Sequence, residues 1–197
     1  MSLFYFGLRH HIRPVVFLTL AGILVTGCSR PTDRPDSVLE TAQTEEEEVA
    51  PYTRSSVDIP LPTFSFATLS GDTIQHDDLT GKITLVNFWA TWCGPCVYEI
   101  PELVVLYDDW KDRNFEIIGV SMDDEGFEIV GPFAEDFAIN YPVVIDDGTL
   151  ADEMGGVYAL PTTFIVDATG TVTDRFIGLF PVDEIRDELD AMIKGTE

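Results

Sequence analysis
The apolar run Ile83-Thr84-Leu85-Val86-Asn87-Phe88 leads through Trp89-Ala90-Thr91-Trp92 into Cys93-Gly94-Pro95-Cys96, and this order restricts the fold more than any other feature. The run predicts a buried strand, and Pro95 followed by Val97 to Trp110 predicts a helix that begins beside the cysteines. A strand, a turn and a helix in succession put both sulfurs at a helix N-terminus, where the helix dipole favours a thiolate. The thiolate is the species that attacks a disulfide, so Cys93 and Cys96 read as a redox-active dithiol able to close a small ring. Zinc is a poor alternative, because a tetrahedral site needs four ligands. The chain adds only Cys28, His76 and a His10-His11 pair in a targeting segment. No metal and no cofactor is expected. A purely structural disulfide is the other alternative, but closing so short a loop removes little entropy from the unfolded chain.

At the N-terminus, Arg9, His10, His11 and Arg13 precede an apolar run from Pro14 to Val25 that is too short for a settled membrane-spanning helix. This pattern reads as an export signal. The run ends in Leu24-Val25-Thr26-Gly27-Cys28, which resembles the lipobox of bacterial lipoproteins, in which the cysteine is lipidated and becomes the new N-terminus. Residues 1–27 are then a lipoprotein signal peptide and Cys28 a lipid anchor; an ordinary signal peptide and a signal anchor are the alternatives. With Cys28 consumed by its lipid, Cys93 and Cys96 are left as the thiol pair, in an extracytoplasmic setting where disulfides persist.

From residue 28 to 57 the composition turns to Pro, Thr, Ser and acid, with Glu45 to Glu48 in a row, which predicts a disordered acidic tether. Residues 58–197 are enough for one domain with a sizeable core. The whole chain carries 35 acidic against 11 basic residues, a formal charge of −24, which makes nucleic acid and anionic lipid poor partners, and no nucleic acid is expected. Such acidity fits either a face that steers a basic redox partner or a general adaptation of the surface to salt. The spread of acids along the whole domain favours the second.

Within the domain, Thr63 to Thr68 and Thr73 to His76 around Gly71-Asp72 predict an N-terminal β-hairpin. After the Cys93–Cys96 helix, with a kink expected at Pro101, a buried strand is predicted from Phe115 to Ser121. Asp123 to Glu125 suit the start of a helix through Phe127, Val130, Phe133 and Phe137, with an interruption expected at Gly131-Pro132. Further strands are predicted at Tyr141 to Ile145, Pro161 to Val166 and Thr171 to Ile177, the last two joined by the Ala168-Thr169-Gly170 turn. A short helix over Leu150 to Gly155 and a closing helix with the stripe Val182, Ile185, Leu189 and Ile193 complete the order. The fold class is α/β, a mixed central sheet with helices on both faces, preceded by the hairpin.

This order, with the motifs Phe88 to Cys96, Glu99-Ile100-Pro101 and Leu160-Pro161-Thr162-Thr163-Phe164-Ile165-Val166-Asp167, resembles a thioredoxin fold. It is similar in particular to the extracytoplasmic thiol-disulfide oxidoreductases of the TlpA/ResA-like group, related to the AhpC/TSA and redoxin proteins. The resemblance implies that Cys93 attacks and Cys96 resolves, that Pro161 is a cis proline against the pair, and that the Leu160 backbone pairs with substrate while Trp92 shields the site. Asn87 stands where cytoplasmic thioredoxins place a buried acid, and Asn87 cannot take up a proton. Glu99, three residues after Cys96, falls on the sulfur-bearing side of the helix and is the candidate for that role. Gly94-Pro95 is the dipeptide of reducing thioredoxins, so the resemblance implies reduction of oxidised envelope proteins such as apocytochrome c, with a membrane dithiol as electron donor.

Three other readings remain. A thiol-dependent peroxidase of related fold would have Pro and Thr where Val86 and Ala90 stand. A copper-delivery protein would need a later histidine, and none follows His76. A disulfide-oxidising or binding module of the same fold would keep the pair in another role.

Overall fold
The computed structural model describes residues 51–196. Strand β1 (Tyr52–Pro60) is followed by the hairpin β2 (Ser65–Ala67) and β3 (Thr73–Gln75), whose strands pair antiparallel as Phe66 opposite Ile74. After a 3-10 turn at His76–Leu79 come β4 (Ile83–Trp89), α1 (Gly94–Trp110), β5 (Phe115–Ser121), α2 (Phe127–Asp136), β6 (Val143–Ile145) and α3 (Thr149–Glu153). The chain closes with β7 (Thr162–Val166), β8 (Thr171–Gly178) and α4 (Val182–Lys194).

Six strands form one sheet in the order β1-β8-β7-β4-β5-β6. β4, β5 and β6 run parallel, and β7 and β8 are antiparallel to their neighbours. All seven residues of β4 and all seven of β5 are buried, as expected for parallel strands covered on both faces. Successive side chains of β4 divide between those faces. Leu85 and Trp89 join Ile100, Leu103 and Leu106 of α1 and Ile185 and Leu189 of α4 in one core cluster. Val86 and Phe88 join a second cluster with Phe164, Leu150 of α3 and Ile74 of the hairpin. A Cβ at Gly119 would lie 2.9 Å from the Tyr141 ring and 3.0 Å from Trp89 Nε1, so only glycine lets the Trp89 indole pack over β5 at the site-bearing end of the sheet.

The structure corrects the sequence reading at three places. The ordered part starts before Asp58, because β1 pairs with β8 from Tyr52 opposite Gly178 to Pro60 opposite Thr171, so residues 52–57 are sheet rather than tether. Tyr52, Val57 and Ile59 pack on the core, and the polar residues between them gave no apolar run to read. The α2 helix continues through Gly131-Pro132. Pro132 removes one backbone bond in the middle of the helix, and Val130 and Ala134 on either side are buried and hold the helix down. Asp123 does not begin that helix: Gly126 is the N-cap, and Asp123 turns inward. Cys28, the signal segment 1–27 and most of the tether lie outside the described residues. No helix among the described residues is long and apolar enough to cross a membrane.

Candidate active site
β4 and β5 end side by side, with Trp89 opposite Ser121, and the chain leaving β4 turns at once into α1. The Cys93 N–H donates to the Ala90 carbonyl at 3.1 Å, which closes that turn and makes Cys93 the N-cap of α1. Cys93 and Cys96 are joined in a disulfide with their Cα atoms 5.3 Å apart. Cys93 keeps 5% of its surface exposed and Cys96 none, so Cys93 is the member of the pair that reaches solvent. An N-cap side chain accepts from the second or third helical N–H. Here the second helical residue is Pro95, which has none, so the Cys96 N–H alone reaches Cys93 Sγ, at 3.3 Å.

The turn is tied to β5 by a residue the sequence reading misassigned. Asp123 is 2% exposed and accepts from the Thr91 N–H at 2.9 Å, the Thr91 hydroxyl at 2.6 Å and the Ser121 hydroxyl at 2.9 Å. Its signal was visible: an acid two residues beyond Ser121, at the end of a buried strand, serves as a local cap as readily as a helix start.

Between α1 and the sheet lies Glu99, also 2% exposed. Asn87 Nδ2 donates to Glu99 Oε1 at 2.7 Å and to Thr163 Oγ1 at 2.9 Å, and the Phe180 N–H donates to Glu99 Oε2 at 2.9 Å. Burial pushes the Glu99 carboxyl up to about 7, against the lowering effect of the Phe180 and Asn87 donors; Glu102 adds a smaller push in the same direction. The acid that Asn87 cannot supply from β4 therefore sits in contact with Asn87, contributed by α1.

The Leu160-Pro161 peptide is cis, and the Pro161 carbonyl accepts from the Gly178 N–H at 2.9 Å. Trp92, Cys93, Pro95 and Leu160 share a groove of about 590 Å³ with Met122, Val157, Tyr158 and Ala159. The sequence reading missed Tyr158 and Met122; neither stands in a motif, and only the fold brings residues 92, 122 and 158 together. Trp89 is fully buried, in contact with Phe133 at 5.2 Å between ring centroids, whereas Trp92 is 70% exposed. Val86 and Ala90, the positions a peroxidase would fill with Pro and Thr, are buried hydrocarbon.

A match to the AhpC/TSA family runs over residues 57–175. The chain belongs to that family. Within it, this AhpC/TSA chain is 34% identical over 133 residues to the thiol-disulfide oxidoreductase ResA of Bacillus anthracis, covering 68% of the chain and 74% of that protein. It is 35% identical over 131 residues to the thioredoxin-like protein YneN of Bacillus subtilis, covering 66% and 76%. A thiol:disulfide interchange protein of the thioredoxin family from Chlorobium tepidum superposes with a TM-score of 0.64 at 30% identity, covering 71% of this chain and 99% of the other. The thioredoxin-like fold expected from the sequence is thus the observed one, and the activity is that of a thiol-disulfide oxidoreductase working through Cys93 and Cys96.

Proposed function
We propose that the chain works as a disulfide reductase outside the cytoplasm, held to a membrane by lipid on Cys28 and recharged by a membrane dithiol donor. The observation that carries the direction is the single N–H at Cys93 Sγ. A thiolate capped by several donors has a low pKa and makes an oxidising pair. Pro95 removes one of the two available donors, so the reduced form is less stabilised and the pair gives up electrons more readily.

In the cycle, the Cys93 thiolate attacks one sulfur of a substrate disulfide, forming a mixed disulfide and releasing a substrate thiolate that takes a proton from solvent. Cys96 then loses its proton to the Glu99 carboxylate and attacks Cys93 Sγ, and the second substrate thiolate that leaves takes that proton back from Glu99, so one of the two protons comes from solvent and the other from Cys96. Two electrons and two protons pass to the substrate, and the Cys93–Cys96 disulfide is left for the donor to reduce. A general base works best when its pKa lies near the working pH, which supports this role for Glu99 at about 7. The Leu160 backbone, beside the cis Pro161, would pair with the substrate strand as Trp92 covers the reacting sulfurs. Oxidised envelope proteins, apocytochrome c among them, are the proposed substrates.

The test is the reduction potential of the Cys93–Cys96 pair, measured by equilibration against a dithiothreitol or glutathione series. A value below about −200 mV is expected, and a value near about −120 mV would reverse the direction.

A further inference from the structure
Trp92 and Tyr158, 70% and 85% exposed, line the groove that holds Cys93, together with the apolar Met122, Val157 and Leu160. Few large apolar side chains among the described residues are left so open to water, and two of them meet at one site. The charge around them is equally one-sided. No lysine, arginine or histidine occurs from Ile83 to Trp110, nor from Asn114 to Asp174, and these two stretches supply every residue that lines the groove. Asp124, Glu125 and Glu128 are exposed directly after Met122.

The bases lie outside these stretches, and apart from Arg175 on β8 and His76 the described ones are ion-paired. Lys82 at the start of β4 pairs with Glu116, Lys111 past the end of α1 with Asp108, and Arg113 just before β5 with Asp190, all toward the end of the sheet opposite the disulfide. On the edge strand, Arg54 is held by Asp174 and Glu188, and Arg186 of α4 pairs with Asp109. The spread of the acids alone suggested a uniform surface. It is the placing of the bases that makes the molecule polar. A low-dielectric groove framed by one sign of charge focuses its field on whatever approaches.

Resting on the reading of the groove as a reductase site, we propose that it selects oxidised protein segments with an aliphatic or aromatic side chain next to the disulfide and lysine or arginine beyond it. The apolar residue seats between Trp92 and Tyr158, and the flanking cations meet the acidic rim. Charge complementarity of this kind acts mainly on encounter and on rejection of wrong partners, so it is sensitive to salt.

The test compares three disulfide-containing peptides of equal length as substrates for the reduced protein: leucine beside the cystine with lysine flanks, leucine with glutamate flanks, and serine with lysine flanks. At roughly 0.02 M salt the first is expected to exceed the second in kcat/KM by about tenfold or more, with the gap closing near 0.5 M. The third is expected to lose mainly through KM. Asp124→Asn combined with Glu125→Gln should shrink the lysine preference, and Tyr158→Ser should raise KM for the leucine peptides. Equal rates for lysine and glutamate flanks at low salt, or a preference for glutamate, would overturn the proposal. A small uncharged disulfide run alongside separates the two failures. Its reduction without peptide selectivity defeats this inference alone, and its persistence together with an oxidising potential defeats the reductase reading itself.

Discussion
Asp123 and Glu99 are equally buried, the first bonded to the turn that leads into Cys93 and the second carried on the same helix as Cys96, and they differ in their partners. Asp123, on the β5 side, takes a backbone N–H and two hydroxyls and holds the turn that carries Cys93. Glu99, on the α1 side, takes one amide N–H from Asn87 and one backbone N–H from Phe180, and burial outweighs both, leaving its carboxyl at about 7. Equal burial therefore goes with a latch in one place and with a carboxyl pushed up to about 7 in the other. The difference lies in what each acid is bonded to. Asp123 is bound to the loop it fixes, whereas Glu99 is bound to Asn87, whose amide also donates to Thr163 and whose Oδ1 has no partner.

The sharpest way to break this contrast is to remove each acid in turn. Asp123→Ala strands the Thr91 N–H in a half-buried site and should cost about 2 kcal/mol in urea unfolding, with exchange activity falling only as the turn loosens. A loss of activity without a loss of stability would put Asp123 in the chemistry and erase the distinction. Glu99→Gln should do the opposite, slowing resolution of a trapped mixed disulfide by about a hundredfold at neutral pH while the fold persists. An unchanged pH–rate profile would remove Glu99 from the mechanism.

Stability against pH gives an independent reading of Glu99. Its folded pKa of about 7 lies above the ordinary 4.5, so between those values the folded chain binds more protons than the unfolded one. Its favourable contribution is complete below about 4.5 and declines as pH rises toward 7, by on the order of 3 kcal/mol. Glu99→Gln should flatten that slope in denaturant midpoints taken across the range. A slope that survives the substitution would assign it to other groups. The smallest effect is expected from Thr91→Val, which removes the hydroxyl from Asp123 but keeps the backbone bond, and should cost about 1 kcal/mol.

Much of this architecture was legible along the chain. The β4–Cys93–Cys96–α1 unit, the fully buried β5 and the α4 stripe each follow from periodicity within one element, because each buries its own repeating face. The position of Glu99 on the sulfur-bearing side of α1 followed from spacing, whereas its burial is seen only in the structure. Its partners were no more legible, since Asn87 and Phe180 reach it from a strand and a loop that no local pattern relates to the helix. β1 was missed for a similar reason: an edge strand with polar residues between Tyr52, Val57 and Ile59 shows no apolar run, and its place is set by pairing with β8 more than a hundred residues later.

By itself the sequence determined the redox pair, its place at a helix start and the order of the elements from β2 onward, because all of these depend on residue type and spacing over one or two elements. The tertiary structure decided that Asp123 faces inward as a latch, that Glu99 is held against Asn87, and that Trp92, Met122 and Tyr158 line one groove. These depend on where the parallel strands end and on which chain segments meet there, and only the packed sheet brings residues so distant in sequence within reach of one another.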